Sequence, residues 1–168
     1  IYNPRPVISV VTPSSGPLGG TNNVTLDGTG FLGTVAVTID GQSAPTVSVS
    51  TTQIIATVPA STTGVGGKTL TVDTSRAGPV TLSPGYTYNP PPTITGIAPT
   101  AGTVQGGTTV VILGSFFGGT VNVTFGALPA TNVVVNLSKT QITCRTPAAP
   151  GPGFVNVVVS ASANGTAS

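Results

Sequence analysis

Two tandem all-β sandwiches are the architecture this sequence predicts, and three observations predict it. The chain repeats itself: Ile1–Gly20 (IYNPRPVISVVTPSSGPLGG) returns at Tyr86–Gly107 (YTYNPPPTITGIAPTAGTVQGG). Laying Tyr2-Asn3-Pro4 on Tyr88-Asn89-Pro90 carries Ile8 onto Ile94, Val11 onto Ile97 and Pro13 onto Pro99. A repeat at fixed period comes before other cues, because missing it miscalls the whole fold. Short runs of alternating apolar and polar residues, separated by Gly, Pro, Asn or Asp, fill both copies, and no window shows helical periodicity.

In the first copy the runs are Val7–Val11, Asn23–Leu26, Val35–Ile39, Pro45–Val49, Gln53–Val58, Thr69–Asp73 and a closing Tyr86–Tyr88. In the second they are Thr93–Ile97, Thr109–Leu113, Val121–Phe125, Thr131–Asn136, Gln141–Thr146 and Phe154–Val159. Alternation is clearest in VAVTI and VNVTF, where Val35, Val37 and Ile39 match Val121, Val123 and Phe125 on one face. Seven short strands at this spacing are the immunoglobulin-like count. Gly19-Gly20 and Gly106-Gly107 precede the second strand, where a tight corner needs positive φ. GTGF (Gly28–Phe31) and GSFF (Gly114–Phe117) end that strand, and their Phe is expected to plug the end of the core. A phosphate-cradling loop would need a helix N-terminus behind these glycines, and the sequence offers none.

The ordered set is a Pro-led first strand, GG, a strand ending GTGF, V-x-V-x-I/F, then Q-I-x-x-x-x-P-A and a final Y-x-Y-N-P. It resembles the IPT/TIG domain, the module shared by plexins, certain transcription factors and many bacterial surface proteins. The resemblance covers both copies nearly end to end. It implies two tandem early-set immunoglobulin-like sandwiches, which in bacterial surface proteins serve as spacers or adhesive stalks. The basic loops of the DNA-binding members and the paired cysteines of the plexin members are missing, which argues against both branches.

Comparing the ends of the copies suggests the organisation. The first copy continues through SRAGPVTLSPG to its closing strand, whereas the second runs only to SASANGTAS. The expected division is residues 1–4 as a closing strand belonging to a preceding or neighbouring domain, 5–90 as the first domain, and 91–168 as a second domain without its own closing strand. Ile1, Tyr2, Asn3 and Pro4 then form the inter-repeat strand. Two sources remain open: a long covalent array, which the short strand favours, or a donor strand passed between subunits. Either contact is head-to-tail and propagates. Untidy fragment ends are the bland alternative. The proline-dense NPRP and NPPP links suit semi-rigid spacers.

Composition bounds the chemistry. Charged residues are 5% of 168, the net charge is +2, and Ser and Thr make up roughly a quarter of the chain. Arg5, Lys68, Arg76, Lys139 and Arg145 do not cluster, so no phosphate-tracking stripe exists and nucleic acid is not an expected partner. Runs such as Val133–Val135 are too short to span a bilayer as a helix. No leader-like segment opens the sequence, which is expected to be a mature chain or a fragment.

Without His or Glu, and with Asp27, Asp40 and Asp73 scattered, no nucleophile–base or carboxylate pair assembles. The expectation is a non-enzyme with no cofactor and no metal. Cys144, aligned with Ala56, is expected as a small core residue, with a reactive or intermolecular thiol as the alternative. Sequons at Asn23, Asn122, Asn136 and Asn164 are candidate glycosylation sites. Asn122 should point outward, and Asn164 should lie in a polar loop. Tyr2, Tyr86 and Tyr88 fit closing-strand packing better than a carbohydrate platform.

The reading this supports is a structural repeat of an extracellular or cell-surface fibre, stalk or fimbria-like filament, partnered by copies of itself. An adhesive or carbohydrate-binding module recognising glycans or a host surface is the alternative. A transcription-factor-type domain is third.

Overall fold

The computed structural model describes residues 4–168, so Ile1, Tyr2 and Asn3 lie outside the described residues and Pro4 is exposed coil. The chain divides into two compact units, one running to Asn89 and the other Pro90–Ser168. All regular structure in the described residues is strand.

Unit 1 contains β1 (Val7–Thr12), β2 (Ser15–Pro17), β3 (Asn23–Thr29), β4 (Val35–Ile39), β5 (Gln42–Ser43), β6 (Thr46–Val49), β7 (Gln53–Thr57), β8 (Gly66–Thr74) and β9 (Gly78–Asn89). One sheet has the order β1-β3-β7-β6 and the other β2-β9-β8-β4-β5. Alternation sets which side chains go inward: Val24, Leu26, Val37, Ile39, Ile54, Ala56, Leu70 and Val72 are all buried between the sheets.

Unit 2 contains β10 (Thr93–Ala98), β11 (Thr109–Ser115), β12 (Val121–Phe125), β13 (Leu128–Pro129), β14 (Thr131–Val135), β15 (Gln141–Arg145), β16 (Val157–Ala161) and β17 (Gly165–Ala167). Its sheets are β10-β11-β15-β14 and β13-β12-β16-β17. Its core is built on Val110, Ile112, Phe117, Val123, Ile142, Cys144 and Val159. The registers repeat between units: Val35↔Thr74 and Ile39↔Leu70 correspond to Val121↔Ala161 and Phe125↔Val157. Likewise Val24↔Ala56 corresponds to Val110↔Cys144, which fixes the counterparts used below.

The aromatic plugs behave as the sequence predicts. Phe31 and Phe117 are buried, while Phe116 turns outward at φ 61°. Gly28 and Gly114 must be glycines because a Cβ there would lie 2.6 Å from the ring of Phe31 or Phe117 and would also meet the carbonyl of Val7 or Thr93. At the double-glycine corners, Gly106 and Gly107 both take positive φ, but in unit 1 the pair shifts by one residue to Gly20 (φ 64°) and Thr21 (φ 71°).

Several strands depart from the sequence reading. β2, β5, β13 and β17 are too short to carry an alternation signal. β9 starts at Gly78 and runs through SPG, because a bulge absorbs Ser83–Gly85: Leu70 pairs with Leu82 and Lys68 with Tyr86. A proline is tolerated at such a bulge, where it has no ladder bond to donate. In unit 2, β16 begins at Val157 rather than Phe154, and Phe154 is fully exposed. In unit 2, β17 pairs with β16 (Ser160↔Thr166) as the start of β9, ahead of its closing Tyr86–Tyr88 stretch, pairs with β8.

Candidate functional site

The second half of β9 closes unit 1. It pairs antiparallel with β8 (Gly66↔Tyr88, Lys68↔Tyr86) and parallel with β2 (Ser15↔Thr87, Pro17↔Asn89). Tyr86 and Tyr88 are each 1% exposed and stack edge to face, with ring centroids 5.2 Å apart. Two buried phenols need partners, and both have one. The Tyr86 hydroxyl faces the Asn22 amide, accepting from Nδ2 at 3.0 Å and lying 3.2 Å from Oδ1. Gly16 lies under that hydroxyl, and any Cβ would collide with it. Tyr88 donates to the carbonyl of Pro59 at 2.7 Å.

Burial raises the pKa of Tyr86, opposed in part by its bond to Asn22. Tyr88 is pushed up to about 12, chiefly by burial and then by Tyr86 and the Asp40 carboxylate. Over the rim near Tyr88 sits a small polar cluster. Lys68 Nζ donates to Thr63 Oγ1 at 2.6 Å, Thr63 donates to Asp40, and Lys68 lies 3.9 Å from Asp40 Oδ2.

Unit 2 has the same receiving parts with different side chains. Gly102 and Pro147 stand where Gly16 and Pro59 do, and Thr108 replaces Asn22. Where unit 1 has Asp40 and Lys68, unit 2 has Gly126 and Val155, and the polar cluster gives way to an open apolar groove of 630 Å³. Phe125, Leu128, Ala148, Ala149, Pro150 and Val155 line it. The core beneath is correspondingly uncovered: Ile39, Leu70 and Ala44 are buried in unit 1, whereas Phe125, Val157 and Ala130 are only partly buried.

The four sequons fall in unlike places. Asn23 is exposed on β3 and accepts from Thr57 Oγ1, and Asn122 is exposed on β12. Asn136 is exposed but occupied: its Oδ1 caps the amides of Thr140 and Gln141 at 2.8 and 3.1 Å. Asn164 is not in an open polar loop. It is 7% exposed in the β16–β17 turn, and its Nδ2 donates to the carbonyl of Pro90 at 2.8 Å. Cys144 is buried, and burial raises its thiol pKa.

Among the described residues no three of His, Cys, Asp or Glu come together as a metal site. No helix among them is long and apolar enough to cross a membrane. Tyr86, Tyr88 and Gly20 were legible in the sequence, whereas the second positive-φ position is Thr21 rather than Gly19. Gly16, Asn22 and Pro59 as the receivers of the tyrosines were missed, although SSG and TAG at matching places in the repeat hinted at Gly16 and Gly102.

The model of the IPT/TIG domain matches twice, over residues 6–88 and again over residues 92–168. The chain belongs to the IPT/TIG domain family. It is 33% identical over 159 residues to human fibrocystin-L, covering 92% of this chain and 4% of that protein. It is 28% identical over 150 residues to human plexin-A3, covering 84% of this chain and 8% of that protein. Among solved structures, the plexin A4 extracellular region superposes on these IPT/TIG units with TM-score 0.64 at 22% identity, over 94% of this chain and 17% of that one. That likeness is one of fold, reached here without the paired cysteines the resemblance had associated with plexins. The chain spans a small fraction of the relatives it matches.

Proposed function

We propose that this IPT/TIG pair is a structural repeat of an extracellular or cell-surface fibre, stalk or filament, whose units join head to tail. In this reading a Tyr-Asn-Pro strand, Ile1–Pro4 in this chain, completes the second domain of a neighbouring unit, through a covalent array or a donated strand. The observation that carries it is that β9 buries Tyr86 and Tyr88 up to the last residue of unit 1 and is followed within four residues by β10. One segment therefore closes a sandwich and opens the next, and Tyr2-Asn3-Pro4 repeats its sequence. The module is a non-enzyme that works by packing and pairing.

The test is the mass of native polypeptide under denaturing conditions, together with electron microscopy of the native particle. Multiples of 16.4 kDa in one polypeptide, or elongated particles built of 16.4 kDa subunits, are the expected outcomes. A compact native particle holding a single pair of domains would refute the reading.

The exposed rings of Phe116 and Phe154 favour a second reading, an adhesive or carbohydrate-binding surface module. A glycan-array screen separates the two: specific glycan binding lost in Phe154→Ala would support adhesion, and absence of binding leaves the structural role alone.

A further inference from the structure

The turn that joins β16 to β17 repeats the turn that joins β8 to β9. Ala161 pairs with Gly165 as Thr74 pairs with Gly78, and both glycines take positive φ, 101° and 78°. The residue before the glycine is Asn164 in unit 2 and Ala77 in unit 1, so the turn itself does not require an asparagine. Asn164 is nevertheless buried, and its Nδ2 donates at 2.8 Å to the carbonyl of Pro90, the first residue of unit 2. Gly118 makes room for it, because a Cβ there would overlap Asn164 Oδ1. Counting on from the plugs Phe31 and Phe117, the counterpart of Gly118 is Leu32. The units therefore differ by a matched pair: Leu32 with Ala77 in one, Gly118 with Asn164 in the other.

Asn164-Gly165 is also the chain's one Asn-Gly pair. Glycine has no side chain to shield its amide nitrogen or restrict its backbone, so in an open chain that nitrogen readily attacks a preceding side-chain amide. We propose that Asn164 is a self-modification site that the fold of unit 2 holds closed. In the folded unit the side chain is fixed in a buried slot, and local opening of the turn releases it. The Gly165 nitrogen, its proton removed by hydroxide, then bonds to Asn164 Cγ; the Cγ–Nδ2 bond breaks and Nδ2 leaves as ammonia. Water opens the resulting succinimide at either carbonyl, leaving aspartate or isoaspartate, with no oxidant or reductant involved. An ionised carboxylate only accepts, so it cannot bond the Pro90 carbonyl and stands buried against another acceptor. Isoaspartate also adds a backbone atom to a turn closed by the Asn164 N–H on the Ala161 carbonyl at 2.9 Å. Opening of the turn thereby becomes an irreversible loosening of the entry to unit 2, whether or not units join head to tail.

The test incubates the full 168-residue chain at mildly alkaline pH, with and without urea, and follows Asn164 by peptide mapping and enzymatic isoaspartate methylation. Deamidation should be about tenfold or more slower in the folded chain, the factor that one hydrogen bond to a buried carbonyl supplies. Gly118 does not hold a positive φ, so Gly118→Ala disturbs the slot without straining the backbone. It should bring the folded-state rate towards the urea rate and leave the urea rate unchanged. Ala77→Asn puts the same pair in the unit 1 turn beside Leu32, without the slot, and should deamidate in the folded chain faster than Asn164. Cys144, buried in the unit 2 core, reads the consequence: deamidated chain and Asn164→Asp should both admit iodoacetamide at lower urea than unmodified chain.

Equal rates for Asn164 in the folded chain and in urea would overturn the gating, and no deamidation in urea would overturn the site itself. If Ala77→Asn is as slow as Asn164 in the folded chain, the turn backbone rather than the slot protects, and the proposal falls. Should Gly118→Ala fail to fold, which Cys144 labelling without urea would reveal, the Ala77→Asn comparison decides alone. Unchanged Cys144 labelling after deamidation would overturn the loosening.

Discussion

Replacing Tyr88 with Phe removes one oxygen from a buried ring and leaves the packing in place. The oxygen donates to the Pro59 carbonyl at 2.7 Å in a site that is 1% exposed. Losing a neutral hydrogen bond costs about 1 kcal/mol, and leaving the carbonyl without its donor brings the expected loss to about 1–2 kcal/mol. For a unit of this size each 1 kcal/mol lowers the transition by about 4–8 °C. The same hydroxyl also governs behaviour in alkali. Its pKa is about 12 in the fold against an ordinary value near 10, so the native state holds its proton more tightly than the unfolded chain. The stability this lends is complete below pH about 10 and falls as pH rises towards about 12, by about 1.4 kcal/mol per unit. Tyrosine fluorescence is the assay: the chain has no Trp, and two of its three Tyr lie in β9, so the signal is weighted to the closing strand. Tyr88→Phe should unfold at lower temperature at pH 7 and lose less stability than the wild type between pH 10 and 12. Identical alkaline slopes for the two proteins would refute the assignment of that proton to Tyr88.

Three further outcomes follow from single residues. Thr21 holds φ 71° where its counterpart is Gly107 at φ 77°; a β-branched residue pays about 1–2 kcal/mol there, offset in part by glycine's chain entropy. Thr21→Gly should therefore stabilise unit 1 by about 0.5–1 kcal/mol in a urea titration. In a host that glycosylates sequons, mass spectrometry should find sugar on Asn23 or Asn122 and none on folded Asn164, whose Nδ2 is buried against Pro90, while Asn164→Ala should cost about 1–3 kcal/mol. Cys144, buried with a raised pKa, should resist iodoacetamide in the folded chain and react once denaturant unfolds it.

The parts of this fold that the sequence made legible are those where period and burial coincide. VAVTI and VNVTF alternate, their inward residues are the core, and the Gly-x-x-Phe plugs stand where the alternation ends. The two-residue strands β5 and β13 have no period to read, and β9 was cut short because a bulge hides Pro84 inside a strand. Phe154 misled in the opposite direction. Its run FVNVVV has the apolar composition of a strand, but a strand forms only where a neighbour supplies the other half of the ladder, and β12 reaches only Val157–Ala161 and β17 only Val159–Ala161. Asn164 misled because composition marks a turn as polar without saying which polar group the turn itself consumes.

The two units keep the same backbone receivers and differ at the rim, and the difference bears on specificity more than on stability. The Asp40–Thr63–Lys68 cluster is partly exposed, and such a pair contributes about 0–1 kcal/mol. The ring it borders is buried and hydrogen-bonded, so removing the cluster should barely loosen β9. Replacing that cluster by Gly126 and Val155 changes which neighbours are tolerated: a charge is admitted beside the polar rim and disfavoured in the apolar groove. Discrimination is a difference of affinities, and an apolar rim penalises a charged neighbour more than a polar rim does. The same reasoning separates the two rims: a carboxylate at Lys68 should cost little beyond the local ion pair, whereas one at Val155 would set a charge against the apolar wall of Phe125 and Leu128.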